Sequence, residues 1–228
     1  MDSRIARRSL LVQAGTAGLG WLAAGLARAA DVLPTPRQPE GPFYPVKDQA
    51  DKDVDLTRIA GRSGTALGTV LLLDGTVRTL DGAPIPGALV EIWQACASGR
   101  YNHPGDENAA PLDPNFQGWG RVTTGASGAY RFKSIKPGAY PNSPDWMRPP
   151  HIHVRVIAPG FPSLTTQLYF EGEDLNARDH ILRRLSPAER KLVISAFNPV
   201  PGNPDQIAGR FDIVVARRAA HGATPELD

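Results

Sequence analysis

Proline most limits what this chain can fold into. The sequence holds 22 prolines in 228 residues, about twice the usual share, and none of them precedes Pro34. Each fixes φ and removes an amide donor, so long helices are disfavoured from that point on. The apolar runs between the prolines and glycines are short and rich in Val, Ile and aromatics: Val70 to Leu73, Leu89 to Trp93, Tyr130 to Phe132, Ile152 to Ile157, Thr165 to Phe170 and Phe211 to Val215. Turn signals such as Asp81-Gly82, Pro86-Gly87, Ser127-Gly128, Pro137-Gly138 and Pro159-Gly160 separate them. Short β-rich runs between turns predict a mainly β chain, an antiparallel β-sandwich or barrel. The stretch Thr123 to Tyr130 reads as a hairpin. One interval departs from this pattern. Asp174 to Leu185 and Ser186 to Ala196 carry a helical pattern, with Ser186-Pro187-Ala188-Glu189 as a capping box, so a short helical excursion is expected before the last strand.

The proline-free start obeys different rules. Arg4, Arg7 and Arg8 precede an apolar run from Leu10 to Leu26, and Ala27-Arg28-Ala29 follows. A basic start, a modest apolar stretch and an Ala-x-Ala end predict an export signal over residues 1–29. The Arg7-Arg8 pair resembles a bacterial twin-arginine signal. The run is short and glycine-rich for a membrane span, so no stable anchor is expected once the signal is removed, and the mature chain is expected in the periplasm. Cleavage after Ala29 removes four arginines and Asp2, a net +3, which turns the formal +2 into −1. A near-neutral mature chain excludes a strongly basic nucleic-acid binder. The single cysteine, Cys96, excludes a disulfide framework and a Cys-based metal cluster. The remaining layout is an extended Pro-rich arm over 30–66, docked by Phe43 and Tyr44, a β-sandwich domain over 67–217, and a frayed tail over 218–228.

The chemistry gathers around His151-Ile152-His153. Successive strand residues face opposite sides, so the two imidazoles share one face about 7 Å apart along the strand and can converge on one ion. The residues alone leave a second reading open, two surface histidines on an edge strand. Arg148-Pro149-Pro150 precedes the pair. Tyr101 and Tyr140 stand outside any apolar periodicity, either as ligands or as loop rings with solvated hydroxyls. Tyr130 and Tyr169 read as core tyrosines.

Several ordered stretches resemble the intradiol ring-cleavage dioxygenases. They are Pro39 to Pro45, Gly99-Arg100-Tyr101, Pro111 to Phe116, Gly120-Arg121, Ile135 to Pro141, Arg148 to His153, Thr166 to Gly172 and Arg210 to Val214. Within the family the resemblance is greatest to the iron-bearing (beta) subunits of the protocatechuate type. It implies the family's β-sandwich and one non-haem Fe(III) per chain, held by Tyr101, Tyr140, His151 and His153. It also implies that Tyr140 takes part in catalysis, that Arg148 stabilises negative charge on the substrate, and that Gln167 lines the pocket. The implied reaction is ring opening of a catecholic small molecule by O2 to a cis,cis-muconate-type diacid. The implied assembly is with copies of itself or with a homologous subunit that shares the pocket. Asn142 stands where protocatechuate-type enzymes carry Trp, which leaves the choice of catechol open. Ferric iron is hard and favours anionic oxygen, so two phenolates suit it better than thiolates. Two other readings compete: an exported non-catalytic β-sandwich binding module, transthyretin-like or carbohydrate-binding, and a zinc hydrolase drawing a third ligand from His103 or His180.

Overall fold

The computed structural model describes residues 32–46 and 51–217. The expected signal over 1–29 and the tail over 218–228 lie outside the described residues.

Two five-stranded sheets dominate. The first is built on β1 (Val70–Thr79), which pairs antiparallel with β4 (Ala129–Ile135) and parallel with β11 (Asn203–Arg210) and β12 (Ile213–Val215); β10 (Phe197–Val200) lies outside β11. The second runs in the order β3 (Trp119–Thr123), β2 (Leu89–Trp93), β7 (His151–Ile157), β8 (Leu164–Phe170) and β9 (Ile194–Ser195). Both sheets send alternate residues into one core. Leu71, Leu73, Phe132 and Ile213 come from the first, and Val90, Ile92, Ile152, Val154 and Leu168 from the second. The fold is therefore the expected sandwich, with mixed rather than purely antiparallel sheets. A short hairpin of β5 (Tyr140–Ser143) and β6 (Trp146–Arg148) forms its own ladder, and among the described residues it pairs with neither large sheet through the backbone.

Three expectations are corrected. Thr123 to Tyr130 is not a hairpin: β3 pairs with β2 while β4 pairs with β1, so the turn carries the chain from one sheet to the other. Alternation and a turn signal do not specify which sheet the next strand joins. Tyr140 lies at the start of β5 rather than in a loop. The helical excursion is also shorter than its pattern. It consists of two 3-10 turns, Asp174–Arg178 and Leu182–Arg184, and one turn of helix, α1 (Pro187–Arg190), after which Ile194 and Ser195 pair with β8. The capping box forms as expected: Ser186 accepts from the Glu189 amide, and the Glu189 carboxylate accepts from the Ser186 amide at 2.8 Å.

Residues 32–46 have no regular structure of their own; Thr35 exchanges hydrogen bonds with Val214 of β12 in the first sheet, and the chain then passes β8 and runs over the outer face of the second. Gln38 donates its amide to the Thr165 carbonyl, and its side-chain oxygen accepts from the Gln167 amide, both at 2.9 Å. Phe43 packs on Tyr101, and Tyr44 meets the edge of Trp93 with the Arg155 guanidinium 4.3 Å from its ring centre.

Candidate metal centre

The period of two along β7 places Ile152, Val154 and Val156 in the core and His151, His153 and Arg155 on the outer face. Registers across the sheet then form rows on that face. One row is Trp119, Trp93, His153 and Gln167, and the next pairs His151 with Tyr169. The site is thus a continuation of sheet register. Trp93 stacks on His153 with ring centres 4.9 Å apart and planes within 8°, which fixes the imidazole plane.

Two loops bring in the tyrosines. Tyr101 follows the end of β2, and Tyr140 opens β5. The loops touch through glycine: a Cβ on Gly138 would lie 2.4 Å from the Ala97 carbonyl oxygen, and one on Gly99, whose φ is +86°, would lie 2.2 Å from that of Ala139. Only glycine permits that approach. Asp106 holds the first loop by accepting from the Tyr101 amide at 2.6 Å.

The structure brings the four candidate ligands together. The Nε2 atoms of His151 and His153 are 3.2 Å apart. The Tyr101 ring lies 5.4 Å from Tyr140 and 6.2 Å from His153, and Tyr140 lies 5.6 Å from His151, centre to centre. All four side chains are buried. His151 Nδ1 lies 2.7 Å from the Pro149 carbonyl, which can only accept, so Nδ1 carries the proton and Nε2 presents its lone pair.

Burial, then the Arg148 cation and His153, push the His151 pKa well below its usual value; burial and Arg148 push that of His153 down to about 3. Both rings are neutral, as metal ligands must be. Burial, then Tyr140, drives the Tyr101 phenol well above its ordinary value, and burial raises Tyr140 against the opposing pull of Arg148. Without a cation between them, both phenols keep their protons.

The donor set fits a metal ion. The buried Tyr101 hydroxyl makes no hydrogen bond, and neither does His153 Nδ1. An orphaned hydroxyl of this kind is costly unless an ion satisfies it. Two nitrogens bound at right angles to one ion, at about 2.1 Å each, stand about 3 Å apart, close to the observed spacing. Among the described residues no three His, Cys, Asp or Glu side chains form a metal-binding group, so the zinc reading lacks its third ligand. His180 instead stacks on Trp146, and His103 packs near Phe43.

Arg148 is the direct cross-strand partner of Tyr140 and is 3% exposed. Its Nε donates to Asp179 Oδ2 at 2.7 Å, and its Nη2 donates to Gln167 Oε1 at 2.6 Å and to the Tyr169 hydroxyl at 3.3 Å. Burial opposes its charge, but Tyr140, Tyr169 and Asp179 outweigh that and hold its pKa above the ordinary value. Gln167 is wholly buried and committed. Its amide nitrogen donates to the Pro39 carbonyl at 2.8 Å, and its oxygen accepts from Arg148 and from Tyr169. It ties the arm to the guanidinium.

The sequence reading missed Asp179, Gln38 and Trp93; Tyr169 is buried with Leu182 and Val193 as expected, and its hydroxyl also reaches Arg148 and Gln167. Trp93 was within reach, because its strand alternates in phase with the face that carries His153. Asp179 and Gln38 had no such signal, since their partners are distant in the chain.

A β-sandwich with an imidazole–phenol cluster on the outer face of one sheet has the fold of the intradiol dioxygenases. Residues 39–217 match the family model described as Dioxygenase. The chain is 44% identical over 188 residues to the beta chain of protocatechuate 3,4-dioxygenase from Burkholderia cepacia, covering 81% of this chain and 80% of that one. It is 34% identical over 195 residues to catechol 1,2-dioxygenase 2 from Acinetobacter lwoffii, covering 72% of this chain and 66% of the relative. Among solved structures, it is similar to the dioxygenase domain of a dioxygenase–carbohydrate-binding protein fusion from Streptomyces sp. SirexAA-E, with a TM-score of 0.62 and 32% identity over 81% of this chain and 99% of that one. The chain belongs to the intradiol ring-cleaving dioxygenase family, and its homologues are named as enzymes rather than binding modules.

Proposed function

We propose that Tyr101, Tyr140, His151 and His153 bind one non-haem Fe(III) per chain and that the protein cleaves a catechol between its two hydroxyl-bearing carbons, in the manner of protocatechuate 3,4-dioxygenase. One observation carries the reading: two imidazole nitrogens 3.2 Å apart, ringed by two buried phenols, one of them without a hydrogen bond. When bound, the ferric ion would supply Lewis-acid and one-electron redox chemistry toward a catechol and O2.

The chain supplies position, charge and protons. Trp93 and the Pro149 carbonyl fix the planes of the two imidazoles. Ionised by the bound cation, Tyr140 would accept the proton of one substrate hydroxyl at Oη. Arg148, across the β5–β6 ladder, stabilises the negative charge that develops on the substrate ring, where a buried guanidinium acts more strongly than it would in water. Gln167 supports that guanidinium from the side. The arm excludes water: Gly41 approaches so closely that a Cβ there would lie 3.2 Å from His153 Cε1, and Phe43 covers both tyrosines. The product is a cis,cis-muconate-type diacid that carries both oxygen atoms. The 44% identity to a protocatechuate 3,4-dioxygenase beta chain favours protocatechuate among the catechols.

The same reading includes export. Residues 1–29 act as a twin-arginine-type signal and deliver the sandwich domain of 67–217 and its arm to the periplasm, where it associates with copies of itself or with a homologous subunit. Oxygen uptake by the iron-loaded protein, measured with protocatechuate, catechol, hydroxyquinol and chlorocatechols, tests the reaction. At least one should consume O2 in equal amount and give a ring-opened diacid labelled twice from 18O2. No uptake with any of them by protein holding one iron per chain would reject the proposal.

A further inference from the structure

We propose that Asp179 is the positioning residue for Arg148, and that the excursion before β9 exists in part to deliver it; the proposal rests on the role given to Arg148 above. The β5–β6 hairpin carries Tyr140 and Arg148 face to face, yet among the described residues no ladder hydrogen bond ties it to either large sheet. Two consecutive residues of the excursion grip β6 instead. The Asp179 carboxylate meets the guanidinium, and the His180 ring stacks on Trp146 with centres 4.6 Å apart.

Asp179 is fully buried, and its two oxygens do different work. Oδ1 accepts from the amides of Leu182 at 2.7 Å and Ile181 at 3.1 Å, which caps the turn that follows, and it lies 3.4 Å from the Tyr169 hydroxyl. Oδ2 points the other way and accepts from Arg148 Nε. A turn cap alone would be served as well by Asn. An Asn that kept its oxygen on the two amides would turn its NH2 toward Arg148 Nε–H, donor against donor. The pairing with Arg148 therefore requires a carboxylate, and the cap does not.

The guanidinium is planar, so fixing Nε through Asp179 and Nη2 through Gln167 and Tyr169 fixes Nη1 as well. Gln38 donates to the Tyr169 hydroxyl at 3.3 Å and accepts from the Gln167 amide, so the network reaches the arm over the site. A buried guanidinium without its counter-ion would be strongly disfavoured. Asp179 keeps the charge in place while leaving one edge of the group for the substrate.

The test is a cycle of Asp179→Asn, Arg148→Met and the double variant. Asp179→Asn should keep full iron content, yet lower kcat with protocatechuate or catechol by about 10- to 100-fold, the usual weight of a buried charged hydrogen bond, with a smaller change in KM. In the Arg148→Met background the same substitution should change kcat by less than about twofold, because the group it acts through is gone. Wild-type turnover per iron in Asp179→Asn, or equal losses in both backgrounds, would overturn the proposal. A second reading avoids turnover. Melting temperatures of the metal-free proteins should be non-additive across the cycle, and additive shifts would also overturn it. Wild-type protein that takes up no iron would refute the functional reading instead, and the metal-free cycle would then decide whether Asp179 holds Arg148.

Discussion

From His151 to Val154 the two faces of β7 are buried alike and built for opposite ends. Ile152, Val154 and Val156 are fully inaccessible and close the sandwich core; His151 and His153 are each 2% exposed on the other side. The inner face is satisfied by contact alone. The outer face holds an orphaned hydroxyl, two facing imidazole nitrogens and a paired guanidinium, an arrangement that invites an ion. Burial therefore says little about purpose. What separates the faces is whether the polar atoms beneath the cover have partners.

The sharpest way to break this comparison is to alter neighbours on the same strand. His153→Ala should lower iron content well over tenfold and take activity to background, while the chain remains folded by circular dichroism. Ile152→Ala should do the reverse. It should cost about 2–5 kcal/mol in denaturant unfolding, with iron per folded chain unchanged. Full iron in the first variant would mean that the outer face is not a ligand face. Next in size, Tyr140→Phe should retain iron but slow turnover by about 100-fold or more, as loss of a proton acceptor does. Metal analysis beside steady-state rates checks both halves.

Strand register made much of this legible in the sequence. The Val- and Ile-bearing runs mark β2 and β7, the aromatic end of Thr165 to Phe170 marks β8, and the period of two places both histidines on one face. The limits of that reading are equally physical. Strands β10 and β11 contain Pro199, Pro204 and Gly209, which interrupt any apolar pattern; Pro199 is tolerated because β10 is an edge strand, and Pro204 because it stands at the start of β11, ahead of the residues paired with β1. Joining β3 to β4 across the sandwich rather than in a hairpin depends on partners far along the chain. Asp179 looks like one more polar residue in a helical stretch until Arg148, 31 residues earlier, is folded against it.

A smaller effect follows from the histidines. In the unfolded chain they titrate near ~6.5, and in the metal-free fold His153 does so at about 3, with His151 also well below its usual value. Between those limits the unfolded state binds more protons, so stability is retained above about pH 6.5 and lost as pH falls toward 3. Each histidine costs about 1.4 kcal/mol per pH unit within its window. Urea midpoints of metal-free protein at several pH values should show this slope, and it should shrink in His153→Ala. The smallest effect lies away from both faces. Ser186→Ala removes the cap of α1 and should cost about 0.5–2 kcal/mol by thermal unfolding, with iron content and rates as in wild type.

Resonance Raman spectroscopy of the iron-loaded protein, excited in its visible band, tests the centre most directly. Phenolate ring modes from two distinct tyrosines should be enhanced, one set vanishing in Tyr101→Phe and the other in Tyr140→Phe. A spectrum without phenolate modes, or one that neither substitution changes, would contradict the assignment of these four side chains to a single ferric ion.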